Sequence, residues 1–142
     1  MPKPDPARLD PSRYPFQTSI EPRFGDLDVN MHVNNVALMG MCEEARIRFH
    51  RASGYNTIRP GTSMIVSFAI EFLGQTFYPG TLEFHAALSH MGRTSHTVDL
   101  LVTQGDRTVA WTRAVIVDVR DDAPIAMSEA YVARAGDWMF RA

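Results

Sequence analysis

Apolar and polar residues alternate with the two-residue period of a β-strand in five parts of the chain. The first part, Gln17–Gly25, is short and contains Pro22, which a sheet tolerates only at an edge or a bulge. The other four parts follow one another, with turn residues such as Gly105 between them. Their apolar positions lie within residues 64–72, 82–88, 98–102 and 109–119. The pattern predicts five strands, of which the last four form an antiparallel meander.

One long helix is predicted between the first and second strands. Residues 35–53 contain no proline and are rich in Ala, Met, Leu, Glu and Arg, and Gly54 stands where a left-handed C-cap would lie. The apolar stripe of this segment is wider than a helix needs when one of its faces is in solvent. We therefore expect an α+β fold in which a five-stranded antiparallel sheet wraps around one long central helix. The edges of such a sheet favour pairing with a second copy.

The two ends of the chain differ from the middle. Five prolines fall within residues 1–15, where they block helical and central-strand hydrogen bonds, so we expect an arm that is irregular or lies over a surface. Ser128 is a candidate N-cap for a short helix within residues 128–142. The length fits a single domain, residues 1–142.

Composition and charge argue against several classes of protein. The 14 Lys and Arg residues and 16 Asp and Glu residues give a formal net charge of −2 with no long basic block, which is unlike a protein that binds nucleic acid or an anionic membrane. No stretch approaches the roughly 18 consecutive apolar residues of a membrane-spanning helix. Cys42 is the single cysteine, and the first ten residues contain no apolar run typical of a signal peptide. We therefore expect a cytoplasmic protein.

The segment 23–46, RFGDLDVNMHVNNVALMGMCEEAR, places two carboxylates, three amides and an imidazole in the loop that leads into the helix. The first turn of a helix has N–H groups without helical acceptors and a partial positive charge, which together stabilise a carbonyl oxygen that becomes negative. A carboxylate on the same loop can supply a nucleophile or a general base. These residues indicate acyl transfer or hydrolysis.

This segment resembles the signature of the hotdog-fold thioesterases, the 4-hydroxybenzoyl-CoA thioesterase-like and acyl-ACP thioesterase-like families. The pattern F-x-D-x-D, H-V-N-N and E-E-A-R is carried by Phe24–Asp28, His32–Asn35 and Glu43–Arg46, and a weaker match extends over residues 17–119. The resemblance implies a hotdog fold, a homodimer or homotetramer, and hydrolysis of an acyl thioester without cofactor or metal. Acyl-CoA is the implied substrate, with acyl carrier protein as an alternative carrier.

The resemblance also assigns roles to residues of this loop. The family's catalytic carboxylate falls on Asp28, which attacks the thioester or activates water, and the main-chain N–H at Asn35 polarises the carbonyl. The acyl-ACP branch has the pattern D-x-N-x-H-x-N-N, which this chain reproduces and which places Asn30 and His32 in the site. For Asn30 and His32 the alternative is a hydrogen-bonding role within the loop.

Three further positions extend or depart from the family pattern. An additional acidic residue of the acyl-ACP branch aligns near Gln75, which can orient water or substrate but cannot take up a proton. Met31 replaces a glycine that usually precedes the histidine, and its thioether is suited to contact with an acyl chain. Arg93, in the turn MGRTS, aligns with a basic segment that contacts the nucleotide phosphates of coenzyme A in related enzymes; an exposed turn arginine is the alternative.

Other polar residues are predicted to be structural. Asp26 is expected to accept main-chain N–H bonds within the loop, Asn34 to cap the helix, and Glu44 to form an ion pair with Arg46. Cys42 lies among apolar helix residues and is predicted to be a core thiol. The histidines do not follow a recognisable ligand spacing, so we predict no metal site.

The sequence leaves the substrate and two other functions open. It does not distinguish long from short acyl chains, aromatic from aliphatic acyl groups, or coenzyme A from acyl carrier protein. A non-hydrolytic module that binds acyl-CoA or acyl-ACP, and a hotdog dehydratase or hydratase, are the alternatives to hydrolysis. Neither alternative releases a free thiol, and a dehydratase usually needs a different arrangement of Asp and His.

Overall fold

One antiparallel sheet curls around one long helix in the computed structural model, which describes residues 4–58 and 61–142. The helices are α1 (Asn35–Ala52), α2 (Tyr55–Ile58) and α3 (Glu129–Arg134). The strands are β1 (Phe16–Ile20), β2 (Thr62–Phe72), β3 (Leu82–Met91), β4 (Ser95–Gln104), β5 (Arg107–Arg120) and β6 (Ala123–Pro124). Short 3₁₀ turns lie at Pro6–Leu9, Pro11–Arg13, Phe24–Asp26 and Ala135–Trp138.

The strand order is β1-β3-β4-β5-β2, every neighbouring pair is antiparallel, and β6 pairs with the end of β5. β1 and β2 are therefore the two edges of the sheet. Along the 11 residues of β2, Thr62 lies opposite Val119 and Phe72 lies opposite Ala110. The predicted α+β class, the five main strands and the central helix are confirmed. The predicted meander of the last four strands is wrong for β2. Strands β3, β4 and β5 pair in sequence, but β2 pairs with β5 and not with β3, because residues 73–81 carry the chain from one side of the sheet to the other.

Helix α1 begins at Asn35 as the sequence predicts and ends at Ala52, one residue before the predicted end. Asn34 Oδ1 accepts a hydrogen bond from Val36 N at 2.7 Å, which satisfies one of the N–H groups of the first turn. Gly54 has φ +85°, a conformation that favours glycine at the end of a helix. Burial raises the pKa of Cys42 to about 12, so this thiol is a core group as predicted. The buried apolar face of α1 comprises Leu38, Met41, Cys42, Ala45 and Phe49.

The first strand is shorter than the sequence predicts. β1 ends at Ile20, before Pro22, and residues 24–26 form a 3₁₀ turn in place of a strand. The predicted extension to Gly25 is wrong because proline has no N–H to donate to a sheet ladder and Asp26 accepts the Arg23 main-chain N–H at 2.8 Å. The chain therefore leaves the sheet early and forms a separate loop ahead of α1.

The charged residues of α1 pair differently from the prediction. Glu44 pairs with Arg48 and Glu43 with Arg46, so the predicted ion pair between Glu44 and Arg46 is wrong. Residues two apart in a helix face different directions, whereas residues three or four apart are neighbours. No helix within residues 4–58 and 61–142 combines the length and the apolar composition needed to cross a membrane.

The described part of the N-terminal arm lies on the face of the sheet opposite α1; residues 1–3 lie outside the described residues. Its two 3₁₀ turns are capped by the side chains of Asp5 and Asp10. Tyr14 is buried against Leu101 and Trp111, and its hydroxyl accepts a hydrogen bond from Trp111 Nε1 at 3.2 Å. The expectation of an arm that lies over a surface is confirmed.

A buried carboxylate holds the arm to the sheet. Asp99 is fully buried on β4, and both of its oxygens accept hydrogen bonds from Arg113, at 2.8 and 2.9 Å. Arg8, from the arm, also donates to Asp99 at 3.2 Å. The C-terminal tail lies on the same face, where Arg141 N donates to Arg13 O at 2.9 Å. The ion pairs of Asp99 therefore hold the N-terminal arm on the outer face of the sheet, and the C-terminal tail covers the same face.

Two histidines, His50 of α1 and His96 of β4, meet in the core. The Nε2 atoms of His50 and His96 lie 2.9 Å apart, and the rings of Tyr55 and Tyr131 lie 4.6 and 5.7 Å from the His96 ring. Both histidines are buried. Burial lowers the pKa of His96 to about 4, because the apolar surroundings penalise its charged form.

We predict that the stability of the protein falls as the pH drops from 6.5 towards 4. Unfolded His96 binds its proton near the ordinary pKa of 6.5 and folded His96 near 4, so the unfolded chain binds more protons across this range. The full contribution of His96 to the free energy of unfolding is present above pH 6.5. About 1.5 kcal/mol of it is lost as the pH falls from 6.5 to 5. Urea unfolding at several pH values measures this loss.

The variants His96→Gln and His90→Gln separate this contribution from that of other groups. His96→Gln is expected to show a smaller loss of stability on acidification than the wild type. His90→Gln replaces an exposed histidine of β3 and is expected to keep the wild-type dependence. Equal pH dependence of all three proteins would contradict the prediction.

Candidate active site

The loop ahead of α1 is anchored by Asp26. Its Oδ2 accepts the Arg23 main-chain N–H at 2.8 Å, its Oδ1 accepts Arg23 Nη2 at 3.2 Å, and its carbonyl oxygen accepts Asn34 N at 2.8 Å. The main-chain hydrogen bond from Arg23 is the largest cause that lowers the pKa of Asp26. The structural roles predicted for Asp26 and Asn34 are confirmed.

Asp28 begins a tight turn within this loop. Asp28 N donates to His32 O at 2.9 Å, and Met31 N donates to Asp28 O at 3.0 Å. The Oδ1 atom of Asp28 accepts hydrogen bonds from the main-chain N–H groups of Asn30 at 2.9 Å and His32 at 3.3 Å. Its Oδ2 atom accepts no hydrogen bond from the described residues. One carboxylate oxygen is therefore held in place and the other is available.

A second loop, residues 73–80, lies opposite this turn. Val33 N donates to Thr76 O at 3.3 Å, and the His32 ring meets the Phe77 ring edge to face at 5.4 Å. Leu73 N and Gly74 N both donate to Val109 O, at 2.7 and 3.0 Å. The two loops are therefore joined to each other and to β5.

Two side chains of the β4–β5 hairpin hold the second loop in place. Gln104 accepts Phe77 N at 2.9 Å and donates to Phe77 O at 2.8 Å and Gly80 O at 3.1 Å. Arg107 donates to Gln75 O at 3.0 Å, and its guanidinium lies 4.5 Å from the centre of the Phe77 ring. Both side chains come from the turn around Gly105, so the hairpin fixes the position of Gln75.

A cavity of about 460 Å³ lies between the two loops and the first turn of α1. Its apolar wall is formed by Val33, Leu38, Phe72 and Leu73. Its polar wall brings together five of the seven site residues predicted from the sequence: Asp28, Asn30, His32, Asn35 and Gln75.

The electrostatics of this cavity are uneven. Asn35 is the first residue of α1, so its main-chain N–H is one of the groups that lack a helical acceptor, at the positive end of the helix dipole. Asp28 is the acidic residue of the lining, and the lining contains no Lys or Arg within the described residues. The site therefore combines a carboxylate with a main-chain donor and contains no cationic side chain of its own.

Two predicted site residues lie away from this cavity. Met31 has φ +61° and is 57% exposed, and it does not line the cavity. Arg93 lies in the β3–β4 turn, two residues before Ser95, which pairs with Val117 at the other end of the sheet from Phe72. Within one chain, Arg93 and the cavity are thus separated by most of the length of β2.

Sequence reasoning missed the groups that support the cavity. Thr76, Phe77, Gln104 and Arg107 were not predicted, although all of them order the loop that carries Gln75. The segment Tyr78–Gly80 identified a turn, but a turn signal does not reveal which distant side chains bind it. A group of three His, Cys, Asp or Glu side chains able to hold a metal ion does not occur in the part of the chain that the structure describes.

This arrangement is suited to chemistry at a carbonyl group. A carbonyl oxygen placed at the Asn35 N–H gains a hydrogen bond that strengthens as negative charge develops. Asp28 borders the same cavity, and its available carboxylate oxygen can act as nucleophile or general base. The amides of Asn30 and Gln75 and the imidazole of His32 add groups that hydrogen-bond water or substrate.

Comparisons with known proteins identify the family and the fold of the chain. The family model of the thioesterase-like superfamily matches residues 22–135. The PA5185 protein from Pseudomonas aeruginosa has a TM-score of 0.79 at 21% identity, over 92% of this chain and 96% of its own. A thioesterase from Thermus thermophilus complexed with coenzyme A and zinc has a TM-score of 0.77 at 24% identity, over 87% and 93%.

A third structure contains a substrate. A 4-hydroxybenzoyl-CoA thioesterase mutant complexed with 4-hydroxybenzoyl-CoA has a TM-score of 0.72 at 15% identity, over 84% of this chain and 97% of its own. At these identities the likeness establishes a shared fold. No match was found among curated proteins.

We predict that Gln104 is needed for stability and that Gln75 is not. Gln104→Ala leaves Phe77 N, Phe77 O and Gly80 O without their partners, which costs about 2 kcal/mol of unfolding free energy. Gln75 is exposed and its side chain forms no hydrogen bond with the described residues, so Gln75→Ala is expected to change stability by less than about 0.5 kcal/mol. Urea unfolding of the two variants tests this difference, and equal losses would contradict it.

Proposed function

The chain belongs to the thioesterase-like superfamily, and we propose that it is an acyl thioester hydrolase that releases a free carboxylic acid and a thiol. The observation that carries this proposal is the meeting of the Asp28 carboxylate and the N-terminus of α1 at one cavity. A thioester is already activated towards attack, so a placed carboxylate and a main-chain donor suffice without a cofactor. One such donor contributes about 3 kcal/mol to transition-state stabilisation.

In the proposed reaction the carbonyl oxygen of the thioester accepts the Asn35 N–H. Either Asp28 attacks the carbonyl carbon to form an acyl anhydride, or it takes a proton from a water molecule that attacks instead. The carbon–sulfur bond then breaks, and the thiolate leaves and is protonated. In the first route, water hydrolyses the anhydride and restores the Asp28 carboxylate. Asn30, His32 and Gln75 orient the water and the acyl group.

We propose coenzyme A as the carrier of the acyl group. The supporting observations are the coenzyme A bound to the Thermus thermophilus thioesterase and the 4-hydroxybenzoyl-CoA bound to the 4-hydroxybenzoyl-CoA thioesterase mutant, both of which share the fold. Arg93 is the residue proposed to contact the nucleotide phosphates. Hydrolysis assays with acyl-CoA and acyl-ACP of the same acyl length distinguish the two carriers.

We also propose that the protein forms a homodimer through β2, alone or as half of a tetramer. β2 pairs with β5 on one side, and its other side is an open edge among the described strands. Such an edge exposes main-chain groups that a second strand can bind. Large apolar side chains also remain exposed along it and on the adjacent face of α1: Val36, Ile47, Met64, Ile65, Val66 and Phe68.

Antiparallel pairing of two β2 strands accounts for the position of Arg93. A two-fold axis near the middle of β2 brings the Phe72 end of one strand beside the Thr62 end of the other. Thr62 pairs with Val119, and the neighbouring Val117 pairs with Ser95 in the strand that follows Arg93. The partner's Arg93 then lies at the same end of the joined sheet as the Asp28 cavity.

We predict that Asp28→Asn lowers thioester hydrolysis by orders of magnitude and leaves the oligomer folded. The amide keeps an oxygen for the N–H groups of Asn30 and His32 but is neither a nucleophile nor a base at neutral pH. Release of thiol from acyl-CoA substrates measures the activity. Turnover near that of the wild type would end the assignment.

Asp26→Asn is the matched control, since Asp26 lies in the same loop but binds Arg23 and Asn34. It is expected to lower the stability of the protein and to keep the activity of the folded fraction. A single turnover in ¹⁸O-labelled water separates the two routes, because an oxygen of Asp28 enters the product only through the anhydride. Acyl-CoA binding without thiol release would indicate a non-hydrolytic module, and turnover of enoyl substrates would indicate a hydratase.

We predict that Val66→Lys halves the molecular mass of the protein in solution. Val66 is 51% exposed on β2, and a lysine at an edge strand opposes pairing with another edge. Val132→Lys changes an equally exposed valine on α3 and is expected to keep the wild-type mass. Sedimentation velocity measures both; a wild-type protein that is a monomer would contradict the proposed dimer.

A further inference from the structure

Arg46 is a buried cation whose only polar partner within the described residues is Glu43. Its side chain is 6% exposed, and Nη2 lies 3.8 Å from Oε1 of Glu43, whose side chain is 64% exposed. Solvent weakens an ion pair with so exposed a partner. The guanidinium carries five N–H donors yet forms no hydrogen bond within residues 4–58 and 61–142. A buried charge without hydrogen-bond acceptors lowers the stability of a protein unless another group supplies those acceptors.

The Arg46 side chain borders the groove between α1 and β2. A cavity of about 710 Å³ and an adjoining one of about 370 Å³ both include Arg46 in their lining, together with Glu43 and Ile65. The floor of the groove is apolar and extends to Phe68 at the middle of β2. The groove lies beside the open edge of β2, so a chain that pairs with this edge also covers Arg46.

The Asp28 cavity lies at the other end of the same two elements. It is lined by Asn35 and Leu38 from the first turns of α1 and by Phe72 from the last residue of β2. Arg46 lies in the later turns of α1, next to Ile65 near the start of β2. A two-fold axis near Phe68 exchanges these ends, so the Arg46 end of one protomer meets the Asp28 end of the other.

Charge complementarity supports the same pairing. The Asp28 cavity contains a carboxylate and no lysine or arginine within the described residues. Hydrolysis moves the negative charge of Asp28 onto the carbonyl oxygen and finally leaves a carboxylate product beside the restored Asp28 carboxylate. Arg46 is a cation that lacks hydrogen-bond acceptors in its own chain. The Arg46 end of one protomer therefore offers a cation without acceptors, and the Asp28 end of the other offers negative charge without a cation.

We propose that Arg46 of each protomer completes the Asp28 cavity of its partner and binds the carbonyl oxygen of the acyl thioester there. The partner's Arg46 joins the Asn35 N–H in stabilising the negative charge that develops on this oxygen. A guanidinium is suited to the task because it also binds the two oxygens of the carboxylate product. This proposal rests on the proposed hydrolysis and on the dimer formed through β2.

A heterodimer of one Asp28→Asn chain and one Arg46→Met chain tests the proposal. The two chains are co-expressed with different affinity tags and purified in sequence. One site then contains Asp28 from one chain and Arg46 from the other and is intact, whereas the second site lacks both. Each variant homodimer is expected to have about 1% of the wild-type kcat/KM or less, and the heterodimer about half of the wild-type value.

Restored activity supports the proposal, and a heterodimer no more active than the two homodimers overturns it. Full activity of the Arg46→Met homodimer also overturns it while leaving the role of Asp28 intact, whereas full activity of the Asp28→Asn homodimer contradicts the proposed function itself. Met is apolar and similar in size to the buried part of Arg; Arg46→Gln replaces it in the same test if the Met chain does not dimerise.

Two further measurements separate binding of the carbonyl oxygen from support of the fold. Arg46→Lys keeps the positive charge and is expected to recover about a tenth of the wild-type kcat/KM or more, whereas a structural role would leave it as inactive as Arg46→Met. Arg48→Met removes the neighbouring arginine, which pairs with Glu44, and is expected to keep wild-type activity. Inactivity of Arg46→Lys and Arg48→Met alike would overturn the proposal.

Discussion

The first turn of a helix cannot satisfy its own main-chain N–H groups, and the site depends on where this fold places those of α1. The sheet curls around α1 and buries its apolar face, so the helix cannot shift without breaking the core. Asn34 Oδ1 accepts the Val36 N–H, while Asn35, whose N–H has no helical acceptor, lines the cavity. The same burial brings the Asp28 turn and the Gln75 loop against the helix end. The packing of the core around α1 therefore also determines where the polar site lies.

Much of the fold could be predicted because local patterns determined it. The alternation of the long strands, the composition of α1 and the glycine at its end all gave correct elements. The first strand was predicted too long because the alternation continued past Pro22, where the missing N–H decided the outcome. The predicted ion pair between Glu44 and Arg46 was wrong because residues two apart face different directions on a helix. The observed pairs join residues three and four apart.

The candidate site was predictable where the motif was continuous. Asp28, Asn30, His32 and Asn35 lie within eight consecutive residues, and a tight turn into a helix brings them together. Gln75 was predicted through the resemblance alone, and it lines the same cavity. The contacts of Gln104 and Arg107 with its loop join residues about thirty positions apart in sequence, and no local pattern records them. Arg93 and Met31 lie outside the cavity, so their proposed roles depend on a partner chain or on bound substrate.

We propose above all that a thioester carbonyl binds between Asp28 and the N-terminus of α1. A crystal structure of Asp28→Asn with an acyl-CoA tests it most directly, since slow hydrolysis preserves the substrate. We predict that the carbonyl oxygen lies about 3 Å from Asn35 N and that the carbonyl carbon lies within about 3.5 Å of the residue 28 side chain. An acyl group bound elsewhere, with the cavity beside Asn35 filled by water, would contradict it.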